Sequence, residues 1–212
     1  MLDHFRVILT NMKVEPDSPR RPYRMSARAE AMRATGEAIL DAAWEAFRQE
    51  PFDRVTLNEI AAQSGVTVQT VIRHFGSKEQ LFEALAEREG TRIERSRTIP
   101  DDAGLEAAVE SLLDHYEQDG EMVLHLVAQE RLSEPIARVV EQGRRVHREW
   151  VERHCRHVLG GTRGRKRERR IHAAVAATDL GTWSLLRRDL GLDRSEVAQI
   201  MIGLVNGLEG MP

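Results

Sequence analysis

The segment TLNEIAAQSGVTVQTVIRHFGSKEQLF, residues 56–82, constrains the fold more than any other part of the chain. It encodes two short helices hinged at a glycine, with a third close behind. Thr56 and Glu59 are spaced as a capping box, in which the hydroxyl takes a free first-turn amide and the carboxylate reaches back. Val55 and Ile60 are placed to close over that start as a hydrophobic staple. Ile60 and Ala61 then point inward, and the helix stops at Gly65, the residue type best suited to the left-handed conformation that ends a helix. A second helix is expected from Thr67 to about His74, with Val66 and Val71 facing the first. Two helices crossing steeply over a short turn leave little room at the crossing, which suits Ala61. Small residue, glycine turn and flanking apolar positions make a helix-turn-helix pattern.

The second helix offers Thr67, Val68, Gln69, Thr70, Arg73 and His74 to its outer surface, and none of them repels phosphate. Glutamine bonds adenine through two atoms, threonine and valine touch a thymine methyl, and arginine binds guanine or phosphate. Ser77 and Gln80 are spaced as a second capping box that opens a further helix. Lys78 in its first turn, beside free amides, is the expected phosphate clamp.

This segment resembles the DNA-binding domain of the tetracycline-repressor (TetR) family of bacterial transcription regulators. The matching residues are Thr56, Ile60, Ala61, Gly65, Val66, Thr70, Val71, Arg73, His74, Phe75, Lys78, Leu81 and Phe82. One position departs from the pattern: Ile72 stands where the family usually has a phosphate-contacting tyrosine. The resemblance implies an all-α chain with a basic tail over residues 1–25 and a three-helix helix-turn-helix domain over 26–90. A C-terminal helical domain for ligand binding and dimerisation would fill 91–212. It also implies double-stranded operator DNA, a small-molecule effector and a second copy of the chain as partners. Arg33, Thr56, Thr67, Val68, Gln69, Thr70, Arg73, His74 and Lys78 are the expected DNA contacts.

The chain of 212 residues has a net charge of -3, which argues against a protein that coats nucleic acid without regard to sequence. A local basic patch exists nonetheless. Arg20, Arg21, Arg24, Arg28 and Arg33 are opposed nearby by Glu30 alone. Pro16, Pro19 and Pro22 argue against regular structure at the start of this run, whereas Arg24, Arg28 and Arg33 approach the first helix and suit phosphate or minor-groove contact. No stretch is long and apolar enough to cross a membrane, and the opening residues lack the pattern of a cleavable signal. Cys155 is the single cysteine, so no internal disulfide can form and a buried, inert thiol is expected. These features predict a cytoplasmic protein.

The rest reads as helices. Ile39, Ala43, Ala46 and Phe47 mark the core face of a helix ending before Pro51, and the helix containing Phe82 continues past Ala86. TIPDDAG, residues 98–104, breaks the pattern and suits a domain junction. Beyond it, Leu105, Val109, Leu112 and Tyr116 predict one amphipathic helix and Met122, Leu126 and Gln129 another. Ile136, Val139, Val140, Gly143, Val146, Trp150, His154 and Val158 stripe a longer one. GGTRGRKRERR reads as a loop running into a charged helix start. A helix from Ile171 to Leu186 is apolar or small around most of its circumference and must be covered on two sides. Asp193 with Glu196 then caps the last helix.

In the resembled family the final two helices pair with a second subunit as a four-helix bundle. Ala177, Val197, Ile200, Met201, Leu204, Val205 and Leu208 are the dimerisation residues this implies. The family's effector pocket would be lined here by Tyr116, Met122, His125, Leu126, Gln129, Trp150, His154 and Trp183, though core packing explains the same residues. A DNA-binding or interaction protein of this fold without small-molecule control is the alternative. An enzyme is disfavoured. The histidines at 115, 125, 147, 154, 157 and 172 form no HExxH, so no metal, cofactor or catalytic residue is expected.

Overall fold

The computed structural model describes residues 20–211 apart from Asp101, with side chains from Arg28 onward. Among the described residues every regular element is a helix. The reading segment comprises α1 (Arg20–Gln49), α2 (Leu57–Gln63), α3 (Val68–Phe75) and α4 (Lys78–Ser96). After a loop come α5 (Leu105–Gln129), α6 (Glu134–His154), the short α7 (Arg156–Leu159), α8 (Gly164–Thr178), α9 (Leu180–Ser184) and α10 (Arg194–Asn206). Pro22 falls in the first turn of α1, where a missing N–H loses no intrahelical bond, so it does not prevent helix there. Residues 1–19, with Pro16, Pro19 and most of the expected tail, lie outside the described residues, as do the side chains of Arg20, Arg21 and Arg24. The described residues before Ile39 and those from Ile39 onward cluster as two separate units.

One core gathers Ile39, Ala43, Ala46 and Phe47 of α1 with Val55, Ile60, Ala61, Val71, Leu81, Phe82 and Leu85. Phe47, Phe52 and Phe82 meet at its centre, with ring centroids 5.1 to 5.5 Å apart in one stacked and two edge-on pairs. Each such pair contributes about 0.5–1.5 kcal/mol beyond its buried area. The capping box of α2 forms as the spacing predicts, with Thr56 accepting from the Glu59 amide while Glu59 accepts from the Thr56 amide. Gly65 has φ 68, and the Val66 amide donates to the Ala61 carbonyl across the turn. The second box is only half made. Ser77 accepts from the Gln80 amide, but the Gln80 side chain lies over Gly76 and does not return to the cap.

This first core closes only with help from further along the chain. Met122 of α5 and Ile136 and Val140 of α6 complete it, and Leu126 and Val139 pack against it. Packing therefore runs unbroken past the loop at 98–104. The Phe52 amide donates to Gln129 Oε1 at 2.8 Å, and an Arg138–Glu83 pair at 2.6 Å joins α6 to α4.

A second core holds Leu105, Val109, Leu112 and Tyr116 of α5, Trp150 and Val151 of α6, Cys155, Ile171 and Ala174 of α8, Trp183 of α9, and Val197, Met201 and Val205 of α10. Three boundaries differ from the sequence expectation. The two helices predicted around residues 105–129 are one, because Gly120 ends nothing. It admits the Trp183 ring so closely that a Cβ would stand 2.8 Å from Cζ3. The stripe predicted through Val158 breaks at Cys155, leaving Val158 on α7. The helix predicted from Ile171 to Leu186 breaks at Asp179, whose carboxylate accepts from the Gly181 amide at 2.8 Å and starts α9 instead. A short aspartate side chain offering the backbone an alternative partner is a common reason for such a break. Leu185–Asp189 then forms a π-helical turn.

Candidate nucleic-acid interface

α3 is capped by Thr67, whose hydroxyl accepts from the Thr70 amide at 3.2 Å and lies 3.0 Å from the Thr70 hydroxyl. Gln69, Ile72 and Arg73 are exposed and follow the i, i+3, i+4 spacing that places them on one stripe. Ile72, at 40% exposure, occupies the outer surface as the sequence register requires. α3 contains no carboxylate; the flanking ones are Glu59, held in the α2 cap, and Glu79, in the first turn of α4. Arg73 makes no ion pair among the described residues and is free to meet an anion.

The other expected contacts are placed differently. Val68 is half-buried against the first core, because the start of α3 leans inward there. The hydroxyls of Thr56, Thr67 and Thr70 are already engaged in helix starts. His74 is half-buried, its ring 6.0 Å from Phe75. Arg33 is exposed on α1. Lys78 turns away from the surface role assigned to it. Its ammonium donates to the carbonyls of Phe52 at 2.9 Å and Val55 at 3.1 Å and sits 4.5 Å from the Phe52 ring centroid. Those contacts tie α4 to the turn before α2. Arg54, which the sequence reading passed over, is exposed two residues before the Thr56 cap. Its signal was a basic side chain flanking a helix start.

The residues expected to line one effector pocket fall into two groups. Met122 and Leu126 belong to the first core, Gln129 holds the Phe52 amide, and His125 Nε2 lies 3.4 Å from the Glu50 carbonyl. These four seat the reading segment. Tyr116, Trp150 and Trp183 belong to the second core, with His154 beside Trp150 at 5.2 Å between centroids. Tyr116 and Gln129 are both on α5, and at 1.5 Å per residue they stand about 20 Å apart along it. One small ligand cannot touch both.

Around Trp150 the second core is unexpectedly polar. The His147 ring stacks on Trp150 at 5.7 Å and 10°, and Arg97, the residue after α4, places its guanidinium 5.5 Å from the indole centroid. Burial, then the Arg97 charge, brings the His147 pKa down to about 4, and burial pushes the Tyr116 hydroxyl well above its ordinary range. That hydroxyl donates to the Thr178 carbonyl at 2.9 Å. Nearby, Asp119 takes bonds from Arg92 at 2.6 Å and His115 at 3.0 Å. Burial alone would raise its pKa, but the His115 and Arg92 bonds prevail and lower it. Arg97 was not singled out from sequence, since nothing local distinguishes a buried arginine from a solvated one, and His147 stood out only as one of six histidines without a metal-binding motif. Burial pushes the Cys155 thiol up to about 12, in keeping with the inert role expected.

The expected dimerisation residues also divide. Ala177, Val197, Met201 and Val205 face the protomer's own second core and are unavailable to a partner. Ile200 and Leu204, one turn apart on the opposite side of α10, are 36% and 48% exposed, and Leu208 is half-buried. The apolar seam read as one surface is two, because α10 is apolar on both sides.

Among the described residues no group of three or more His, Cys, Asp or Glu side chains is placed to hold a metal ion. No described helix is long and apolar enough to cross a membrane.

Residues 39–85 match the family model described as "Bacterial regulatory proteins, tetR family". The chain is similar in structure to a transcriptional regulator from Pseudomonas aeruginosa PAO1, with TM-score 0.65 and 19% identity over 83% of this chain and 90% of that one. It is also similar to a TetR-like transcriptional regulator from Rhodococcus sp. RHA1, with TM-score 0.63 and 22% identity over 83% and 96% of the two chains. A third similar structure is the multidrug binding protein EbrR complexed with imidazole, at TM-score 0.55 and 16% identity over 79% and 88%.

Proposed function

From the premise that residues 39–85 form a TetR-type helix-turn-helix domain within a TetR-like all-helical fold, we propose that this chain is a homodimeric transcriptional repressor. It acts in the cytoplasm on pseudopalindromic operator DNA and releases that DNA when a small molecule occupies the second core. The observation that carries this reading is the α3 stripe of Gln69, Ile72 and Arg73. It is exposed, free of carboxylates and backed by a scaffold whose helix caps are already satisfied. Gln69 reads a base edge, and Arg73 contacts guanine or phosphate. Arg33 and Arg54 add phosphate contacts. Thr56, Thr67 and Thr70 serve chiefly to hold the helix starts. The exposed Ile200 and Leu204, with the open space beside Gly203 and Gly207, form the surface on which two copies pair.

Fluorescence anisotropy with labelled duplexes from the DNA flanking its own gene tests the reading. One such duplex should bind roughly 1,000-fold or more tighter than a scrambled duplex at the same salt. Equal affinity for both would remove operator recognition. The rival, a DNA-binding protein of the same fold without small-molecule control, is favoured by the packing of Met122, Leu126 and Gln129 against the reading segment. It predicts that no ligand both stabilises the protein and weakens operator binding.

A further inference from the structure

Among the described residues five side-chain polar atoms are buried without a hydrogen-bond partner, and three of them gather around Trp150: Nε and Nη2 of Arg97 and Nδ1 of His147. No carboxylate pairs with Arg97 among the described residues, and its guanidinium rests over the Trp150 face. Arg170, the other deeply placed arginine, also leaves its Nε without a partner, but both of its terminal nitrogens are satisfied. It donates to the carbonyls of Val158, Glu209 and Met211, so its charge is well solvated by the chain end.

The tautomer of His147 follows from Thr178. The Thr178 hydroxyl gives its single hydrogen to the Ala174 carbonyl at 2.8 Å. With that hydrogen so placed, the hydrogen-bond network assigns His147 Nε2, 3.2 Å from the same oxygen, as the N–H donor. The ring is neutral, and Nδ1 presents a bare lone pair. Two donors and one acceptor thus stand beside one indole with nothing to satisfy them. An unpaired charge in such surroundings is strongly unfavourable unless a counter-charge joins it. Moreover, Nε–H and Nη2–H are the two hydrogens on one edge of the guanidinium, the pair that grips a carboxylate through both its oxygens.

We propose that the second core binds a small organic carboxylate bearing a second, hydrogen-donating group. Arg97 grips the carboxylate through Nε and Nη2, His147 Nδ1 accepts from the second group, and Trp150 forms the flat apolar wall. This assignment rests on the effector reading above and names its chemical class. It also explains how occupancy reaches the reading segment. Arg97 directly follows α4, and α4 carries Leu81, Phe82 and Leu85 into the first core.

The test has two arms on the full chain. Without any ligand, Arg97→Met keeps the stem and removes the unpaired charge, so it should raise the melting temperature by several degrees. Arg97→Gln, which also removes the charge, should not lower it. A fall in both variants would show that Arg97 is a structural tie and overturn the proposal. In the second arm, benzoate, 3-hydroxybenzoate and mandelate are each compared with the corresponding primary amide by thermal shift and Trp fluorescence. The acids should stabilise the wild type and the amides should not. The effect should vanish in Arg97→Met, and His147→Phe should keep the benzoate shift while losing the added gain of the hydroxy acids. If no acid shifts the wild type, or the shift survives in Arg97→Met, the site is water-filled packing and the proposal fails. Amides that stabilise and also weaken operator binding would retain the effector reading and overturn the carboxylate. Acids that bind as expected without changing operator affinity would retain the site and overturn release.

Discussion

The reading segment and the interior around Trp150 solve opposite problems with the same helices. In the reading segment, the hydroxyls of Thr56, Thr67 and Ser77 satisfy neighbouring amides, and Lys78 satisfies two carbonyls. Among the described residues no buried side-chain polar atom there lacks a partner, so the side chains that remain free point outward. Around Trp150 the free groups point inward: a guanidinium edge and a ring nitrogen are buried with no partner. A surface built to read something external is rigid and locally complete. An interior with unmatched polar groups is incomplete until something enters.

The comparison is broken most severely through the dimer. Replacing Ile200 and Leu204 together with Glu changes only the outer side of α10, so helicity should persist while sedimentation reports a monomer. Losing one of two linked reading heads should weaken operator binding by about 100-fold or more. Val205→Glu, one residue away but 0% exposed in the second core, should unfold the protein instead. A folded dimer in the double variant would place the interface elsewhere.

A smaller effect separates a tether from a phosphate contact. Lys78→Met removes two charge-assisted bonds and a cation–ring contact from a half-buried site, at a cost of roughly 2 kcal/mol. Melting should fall by about 4–8 °C. The salt dependence of operator binding should keep its slope. Unchanged melting with a shallower salt slope would return Lys78 to the DNA surface.

The interior is sharpened by acid. The pKa of His147 is about 4 in the fold, against 6.5 for the free side chain, chiefly from burial and then the Arg97 charge, with Asp179 and a hydrogen bond to the Val175 backbone opposing and His115 adding slightly. The unfolded chain therefore takes up the proton first as pH falls. Stability is intact above about pH 6.5 and declines toward pH 4, by roughly 3 kcal/mol in all. His147→Gln keeps a donor for Thr178 but cannot titrate, so denaturant midpoints for this variant should stay flat across that window. Asp119 has a lowered pKa, so its contribution is lost only at still lower pH, as that carboxylate protonates. An equal decline in wild type and variant would show that His147 is not the titrating group.

What was legible in the sequence follows the same division. The capping box at Thr56, the turn at Gly65 and the exposed stripe of Gln69 and Arg73 depend on residues a few positions apart, and each formed as the spacing predicts. The two carbonyls that Lys78 meets were not legible because they lie 23 and 26 residues back, beyond the reach of periodicity. Two helices were expected where α5 runs unbroken, because the Trp183 ring that covers Gly120 comes from another helix. α10 read as one apolar seam because a pattern reports apolar faces without saying which is already covered. The pairing of Met122 with the first core and Tyr116 with the second was hidden for a simpler reason: both lie on one helix, and the chain does not record where along it the neighbouring core changes.

The most direct test of the account is selection of tight-binding duplexes from a random pool by wild type and by Gln69→Ala. The wild type should enrich two inverted half-sites centred about one helical turn apart, roughly 34 Å. Gln69→Ala should enrich the same spacing with discrimination lost at one symmetric pair of base positions, a difference of about 1–3 kcal/mol there. Enrichment of no sequence by the wild type, or of an unchanged sequence by the variant, would contradict the claim that α3 reads DNA through this stripe.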